Sequence, residues 1–450
     1  MSRWKTIALP GWGRRDRAPQ TAARPERVAE VRAAVADGVA AAGGVLARGR
    51  GRSYGDQAVN GTGRLILMER LDRILSFDEG TGIAVCEAGV TFADLMRVFL
   101  PKGWLVPVTP GTAFATLGGA VANDVHGKNH DRVGSFGDHT AWLRLLLPSG
   151  ETLRAAPDEN PDVFAATIGG CGLTGVILEV AVRLVRTPSR TMRVAERRIR
   201  DLDDFFAAFV AARDTATHSV GWIDALAQGG AMGRGILETG EIADHDPAPP
   251  VPPRPRRVPV EFPGFALTPL SVGLFNAVYR RRVPEGGRER AVPMERFFYP
   301  LDSLLDWNRI YGRRGFHQFQ CVIPDADARA GVGRLLEAIS AARAASFLAV
   351  LKTLGGEGRG MLSFPMRGYT LALDLPHGSG IPDLLARLER ITLDHGGRIY
   401  LAKDSALSAD GFAAMHPRLG DFRAVLSRLD PDGRLSSDMA RRLRIREDAA

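Results

Sequence analysis

Cysteine is scarce, with three in 450 residues: Cys86, Cys171 and Cys321. They are widely spaced and none lies in a CxxC, which excludes a disulfide framework and argues against a zinc site. Cys86 and Cys321 fall in apolar strand-like runs and read as buried thiols, pointing to a reducing compartment. No stretch reaches the roughly 18 apolar residues of a membrane span. The opening Met1-Ser2-Arg3-Trp4-Lys5 lacks the apolar core of a signal peptide. The expected location is cytoplasmic or peripheral to a membrane. No GxxxxGK[ST] phosphate loop occurs, and no short-period repeat.

What is present is large, glycine-rich and basic. The length implies two or three domains, and 45% hydrophobic residues supply a sizeable core. A net charge of +8 favours anionic partners, though much of it reflects an Arg-rich composition.

Two glycine-rich segments lie about seventy residues apart. One is Arg48-Gly49-Arg50-Gly51-Arg52-Ser53-Tyr54-Gly55-Asp56. The other runs from Pro110-Gly111-Thr112 through Leu117-Gly118-Gly119 to His126-Gly127-Lys128-Asn129-His130. Backbone approaches a bulky anion only where side chains are absent, and successive free N–H groups form anion-binding concavities. Two such loops predict a cofactor with a long phosphate-bearing body. The spacing Gly49, Gly51, Gly55 misses GxGxxG by one residue, which argues against a Rossmann site.

The patterning predicts an α+β chain. Helices are expected over 25–43, from Thr91 to Lys102 and over 161–168. Strands are expected at 45–47, 64–67, 82–86 and 176–180, with a hairpin around Pro148-Ser149-Gly150. Residues 244–262 are Pro-rich and charged and read as a mobile loop. An apolar run, 265–279, ends in Arg280-Arg281-Arg282. From 316 onward strands at 316–323, 346–351, 369–375 and 398–402 alternate with helices at 325–343 and 382–395. This βαββαβ order is the ferredoxin-like arrangement.

His126 and His130 stand four apart, but Gly127 argues against a helix and no Glu follows His126, so no metal site is expected. Their glycine surroundings and Lys128 favour a histidine facing a cofactor or substrate. Alternation puts Gln318 and Gln320 on one sheet face. With Lys352 and Lys403 they suggest a polar face lining a cavity.

These strings, with Gly134-Ser135-Phe136-Gly137, Gly172-Leu173-Thr174-Gly175, Trp307-Asn308-Arg309, Leu362-Ser363-Phe364-Pro365 and Ala402-Lys403-Asp404-Ser405, resemble FAD enzymes of the vanillyl-alcohol-oxidase type. More narrowly, they are similar to the decaprenylphosphoryl-β-D-ribose 2′-oxidase family. The resemblance covers nearly the whole chain. It implies a two-subdomain PCMH-type FAD-binding domain (1–186) and a substrate domain with a mainly antiparallel, ferredoxin-like sheet and covering helices (187–397, with a mobile insertion near 240–285). Residues 398–450 would return to the FAD domain. It makes His126 and Lys403 the catalytic pair. FAD would be held by Arg48, Gly49, Gly51, Arg52, Ser53, Tyr54 and Gly55, by Pro110, Gly111, Thr112, Thr116, Gly118, Gly119, Asn123, Gly127 and Asn129, and by Gly134, Ser135, Phe136, Ile177 and Tyr400. Lys128, Gln318, Gln320, Lys352, Thr370 and Ala372 would line the substrate pocket.

The implied reaction is oxidation of a secondary sugar hydroxyl to a ketone on a polyprenyl-phosphate pentose, with hydride passing to flavin N5. The residues leave either Lys403 or His126 as the base. An NAD(P)H-dependent ketoreductase would act next. The chain departs from the family at Ala372, often cysteine there, at Thr370 for an asparagine and at Phe298 for a hydroxylated aromatic, which bears on the exact substrate. Related sugar oxidases bond their flavin through a first-loop histidine. Arg52 occupies that place, so FAD is expected to be non-covalent. A soluble alditol or aldonolactone oxidase using oxygen and a non-catalytic flavin-binding subunit are the alternatives. Scattered arginines without a binding module argue against nucleic acid.

Overall fold

The computed structural model describes residues 4–15, 17–246, 255–264, 266–344 and 347–446. Residues 247–254 of the Pro-rich stretch, Phe265 at the head of the apolar run and Ser346 at the start of one expected strand lie outside the described residues.

The N-terminal part contains two larger sheets. Strands β1 (Lys5–Ala8), β2 (Pro19–Ala23), β3 (Val45–Arg48) and β4 (Arg64–Leu67) form the first, in the order β1-β2-β4-β3. Helix α1 (Val28–Gly38) carries the chain from β2 to β3, which both run parallel to β4. It is shorter than expected, because Val39 closes its last turn five residues before Gly44. The first glycine loop leaves the end of β3. Strands β5 (Ile74–Asp78), β6 (Ile83–Glu87), β7 (Thr140–Leu146), β8 (Thr152–Ala155) and β9 (Val176–Arg183) make an antiparallel sheet ordered β5-β6-β9-β7-β8. Helix α2 (Phe92–Phe99) starts in a Thr91/Asp94 capping box. Helix α3 (Leu117–Ala122), in the second glycine loop, packs on β6 and β9.

The rest is built on one eight-stranded antiparallel sheet. Its strands are β10 (Thr191–Ile199), β11 (His218–Ile223), β12 (Gly235–Ile242), β13 (Arg288–Pro293), β14 (Phe316–Pro324), β15 (Ala349–Leu354), β16 (Gly368–Pro376) and β17 (Arg398–Ile399). The order is β13-β10-β12-β11-β15-β16-β14-β17. Each half has the split-βαβ order, and the halves meet edge to edge at β11 and β15. Helices α4 (Leu202–Thr215), α6 (Ala328–Ala341) and α7 (Ile381–Asp394) cover one face. There Phe205, Phe209, Leu335, Leu371 and Leu388 join the main core. Helix α5 (Pro269–Arg281) holds the fourth crossover position, but it lies against the opposite face, with Tyr279 packed on Trp222.

Strand β17 stops at Ile399, not near 402 as expected. Tyr400–Lys403 instead form a turn, with Lys403 N donating to Tyr400 O. Helices α8 (Leu419–Leu429) and α9 (Asp438–Arg442) then lead the chain back to the first sheet, where Val45 N donates to Arg434 O. No helix among the described residues is long and apolar enough to cross a membrane.

Candidate active site

A cavity of about 1470 Å³ lies between the two glycine loops and the open face of the large sheet. A drug-sized ligand needs about 300–1,000 Å³, so a dinucleotide and a substrate can share this space.

The sheet register builds its polar floor. Gln318 opposes Asp374, Gln320 and Val350 oppose Ala372, and Lys352 opposes Thr370, so all point to one face. Gln320 Nε2 lies 3.0 Å from His126 Nε2 and 3.2 Å from Thr370 Oγ1. With the amide donating to both, the imidazole proton sits on Nδ1, which is buried without a partner among the described residues. Burial, then the neighbouring Lys352, His130 and Lys403, hold His126 well below its ordinary value, so it is neutral at physiological pH. Its ring packs against Phe364 and Tyr400, which also touch each other.

Lys403 is placed by the first glycine loop. Tyr54 N donates to Ala402 O at 2.9 Å, and Lys403 Nζ stands 3.8 Å from the Tyr54 ring centroid. A Cβ on Gly55 would strike the Asp404 carbonyl, so only glycine permits this approach. Arg442 bonds both Asp56 and Asp404, clamping loop to turn. Burial lowers the Lys403 pKa, Asp374 opposes the shift, and Lys352 adds to it. Asp374 is fully buried, accepting from Gln318 Nε2 at 2.6 Å and Tyr311 OH at 2.8 Å, and burial raises it. Burial, then Lys128, brings Lys352 down to about 8. Lys128 donates to Phe297 O and lies 3.5 Å from Glu238.

Most of the residues read as cofactor contacts line the cavity: Gly49, Gly51, Arg52, Ser53 and Tyr54, Pro110 to Thr112, Thr116, Gly118, Gly119, Asn123, Gly127, Ile177 and Tyr400. Five do not, and Arg48, which also lines it, is engaged elsewhere as well. Arg48 spends its guanidinium on the carbonyls of Leu9, Pro10 and Ala58. Gly55 abuts Asp404, and Asn129 donates to Pro107 O. Gly134, Ser135 and Phe136 do not reach the cavity. They form a support, in which Ser135 bridges to His126, Phe136 N donates to Val125 O, and Ser135 Oγ donates to Asp124. Thr370, read as a pocket residue, acts through Gln320.

The sequence reading missed Asp374 and Tyr311, which are reached only through sheet pairing. It also missed Asp302, which binds Thr112 Oγ1 and Ala113 N and so fixes the second loop. One compositional signal was available. The chain has five lysines, and Lys128, Lys352 and Lys403 line this cavity. Among the described residues, no group of three or more His, Cys, Asp or Glu could hold a metal.

The cavity also fits a flavin dinucleotide by its own chemistry. Gly111 faces open space. Arg52, stacked 4.1 Å from the Trp12 ring and 5.0 Å from Phe114, keeps a buried Nε with no partner among the described residues. A family model described as FAD binding domain matches residues 19–156, and one described as D-arabinono-1,4-lactone oxidase matches residues 377–443. The chain is 37% identical, over 98% of both chains, to decaprenylphosphoryl-β-D-ribose oxidase of Mycolicibacterium smegmatis. The chain belongs to this family of FAD-dependent oxidoreductases. It is also 34% identical to an uncharacterised protein of Streptomyces coelicolor, over 79% of this chain and all of the other. A putative D-arabinono-1,4-lactone oxidase of Neurospora crassa is 28% identical over 37% of this chain and 30% of its own. FAD is therefore the cofactor.

Proposed function

We propose that the protein oxidises the 2′-hydroxyl of a pentose carried on a polyprenyl phosphate to the ketone. The observation that carries this reading is a buried, cation-rich floor in which His126, Gln320, Lys352 and Lys403 converge, in a chain 37% identical to an oxidase named for such a substrate.

Converting CH–OH to C=O removes one hydride and one proton. FAD, which the two glycine loops and Arg52 would hold, would supply the hydride acceptor. The protein handles the proton. His126 is poorly suited to take it, because an imidazolium there would be desolvated beside two lysines. Lys403 is better suited: burial favours its neutral amine, and the ammonium formed would be favoured by the charge of Asp374 and by the Tyr54 ring face. Gln320, which lines the cavity and is fixed by His126 and Thr370, then orients the substrate. Lys128 and Lys352 give the pocket its preference for an anion.

The match of residues 377–443 to D-arabinono-1,4-lactone oxidase favours a second reading, a soluble aldonolactone or alditol oxidase. An anaerobic absorbance titration of the holoenzyme separates them. Bleaching of the flavin by a phosphoprenyl pentose and not by free alditols or aldonolactones is expected. The reverse pattern overturns the proposal.

A further inference from the structure

Helix α5 is inverted relative to an ordinary surface helix. Among the described residues its buried positions are Val272 and Asn276, the latter donating to Asp224 Oδ1 at 2.7 Å. Leu270, Leu274 and Val278, spaced i, i+4, i+8 on one stripe, are 83%, 67% and 60% exposed. Phe275 is also exposed, as are Val260 and Phe262 in the preceding segment. Six of the nine large exposed hydrophobics of the described residues thus fall between 260 and 278. Such clustering marks an interaction surface.

Two observations say what covers it. The patch is bounded by exposed arginines, Arg256 and Arg257 before the helix and Arg281 at its end, in a chain of net charge +8. It is also continuous with the cavity: Arg256 is both exposed and part of the cavity wall, and Tyr279 and Arg282, on the other side of the helix, line it too. Deeper in that wall, Arg282, Arg288 and Arg290 surround the buried carboxylate of Glu196. Arg290 also pairs with Glu238, as does Lys128, so four cations face two carboxylates there, an excess that suits an incoming phosphate.

We propose that the outer face of α5, with Val260 and Phe262, seats on an anionic lipid bilayer, with the cavity opening at the headgroup level. A prenyl-phosphate substrate would then present its sugar to the cavity while its chain stays in the lipid. That consequence rests on the proposed substrate, but the docking surface does not. An apolar helix face flanked by arginines binds such interfaces by combining buried area with attraction to anionic headgroups.

The test is flotation of the FAD-loaded full chain with vesicles of phosphatidylcholine alone or mixed with phosphatidylglycerol. Binding only to the mixed vesicles, weakened by salt, is expected. Leu274→Glu and Val278→Glu should each weaken partition by about tenfold or more. Arg281→Gln should lower the salt-sensitive part. Flavin content and melting temperature, measured on the same samples, should stay unchanged. Absence of vesicle binding, or binding unaltered in both glutamate variants, overturns the proposal. If those variants instead convert a dimer to a monomer in sedimentation without affecting vesicles, the face joins two copies of the chain and the bilayer proposal falls. Vesicle binding without flavin bleaching by a phosphoprenyl pentose would refute the substrate and leave the docking surface standing.

Discussion

Arginine carries nearly all of the positive charge in this chain, so a lysine is a position where arginine would not serve. Guanidinium stays charged at any accessible pH, whereas a buried ammonium can lose its proton. Three of the five lysines line the cavity, and burial lowers the pKa of each. Lys403→Met should slow flavin reduction by about 10²–10⁴-fold while FAD stays bound, measured by anaerobic stopped flow. A base works only unprotonated, so the wild-type rate should rise with pH through a limb far below the ordinary lysine value. Asp374 opposes the lowering of Lys403, so Asp374→Asn should move that limb to lower pH. A limb that stays put would remove Asp374 from the proton-handling group. The other residue-scale prediction concerns Arg52, which has no nucleophilic ring nitrogen to bond a flavin. Acid precipitation should leave a colourless pellet and release the yellow cofactor to the supernatant; a yellow pellet would refute non-covalent binding. His126, Lys403, Gln318 and Gln320 were legible as polar residues amid glycine or strand patterns. Asp374 was not, because Asp374 in Leu373-Asp374-Leu375 looks like any polar strand position until β14 is paired beside it.

At the scale of elements, periodicity revealed the second split-βαβ half and concealed the first. The second half alternates regular strands and helices packed on a common face. In the first, the Pro-rich sequence of 244–262 and the inverted helix α5 break that rhythm, and the apolar stripe that normally reports a core-facing helix faces outward. The half is nonetheless held by its own charges. Glu196, fully buried, accepts from Arg288 and Arg290 and pairs with Arg282. Glu196→Gln should destabilise the fold by about 2–3 kcal/mol, less than a fully buried pair because the arginines remain about a third exposed. Urea unfolding checks this, and a change under about 0.5 kcal/mol would mean that the cluster is only surface charge. Gly134-Ser135-Phe136 shows the opposite confusion. A glycine-containing loop next to a cofactor loop reads as a second contact, yet its work is to hold the backbone of His126.

At the scale of the whole molecule, the chain's end completes its beginning. Arg434 and Leu435 pair with Val45, Asp438 accepts from Gly61 N, and Arg442 ties Asp56 to Asp404. Deleting the segment from Arg434 onward should therefore reduce FAD retention and lower the melting temperature by several degrees, although none of its described residues lines the cavity. Flavin fluorescence after gel filtration reads the first effect, and full retention would contradict it. Local sequence determined what depends on neighbours along the chain: the glycine-rich backbone of both cofactor loops, the capping of α2, the alternation that sets Gln318 beside Gln320, and the scarcity of lysine. Tertiary structure alone decided which carboxylate's charge acts on Lys403, which loop supports His126 and which face of α5 stays bare. Those depend on sheet register and on burial, which bring together groups tens to hundreds of residues apart and shift their protonation only once water is gone.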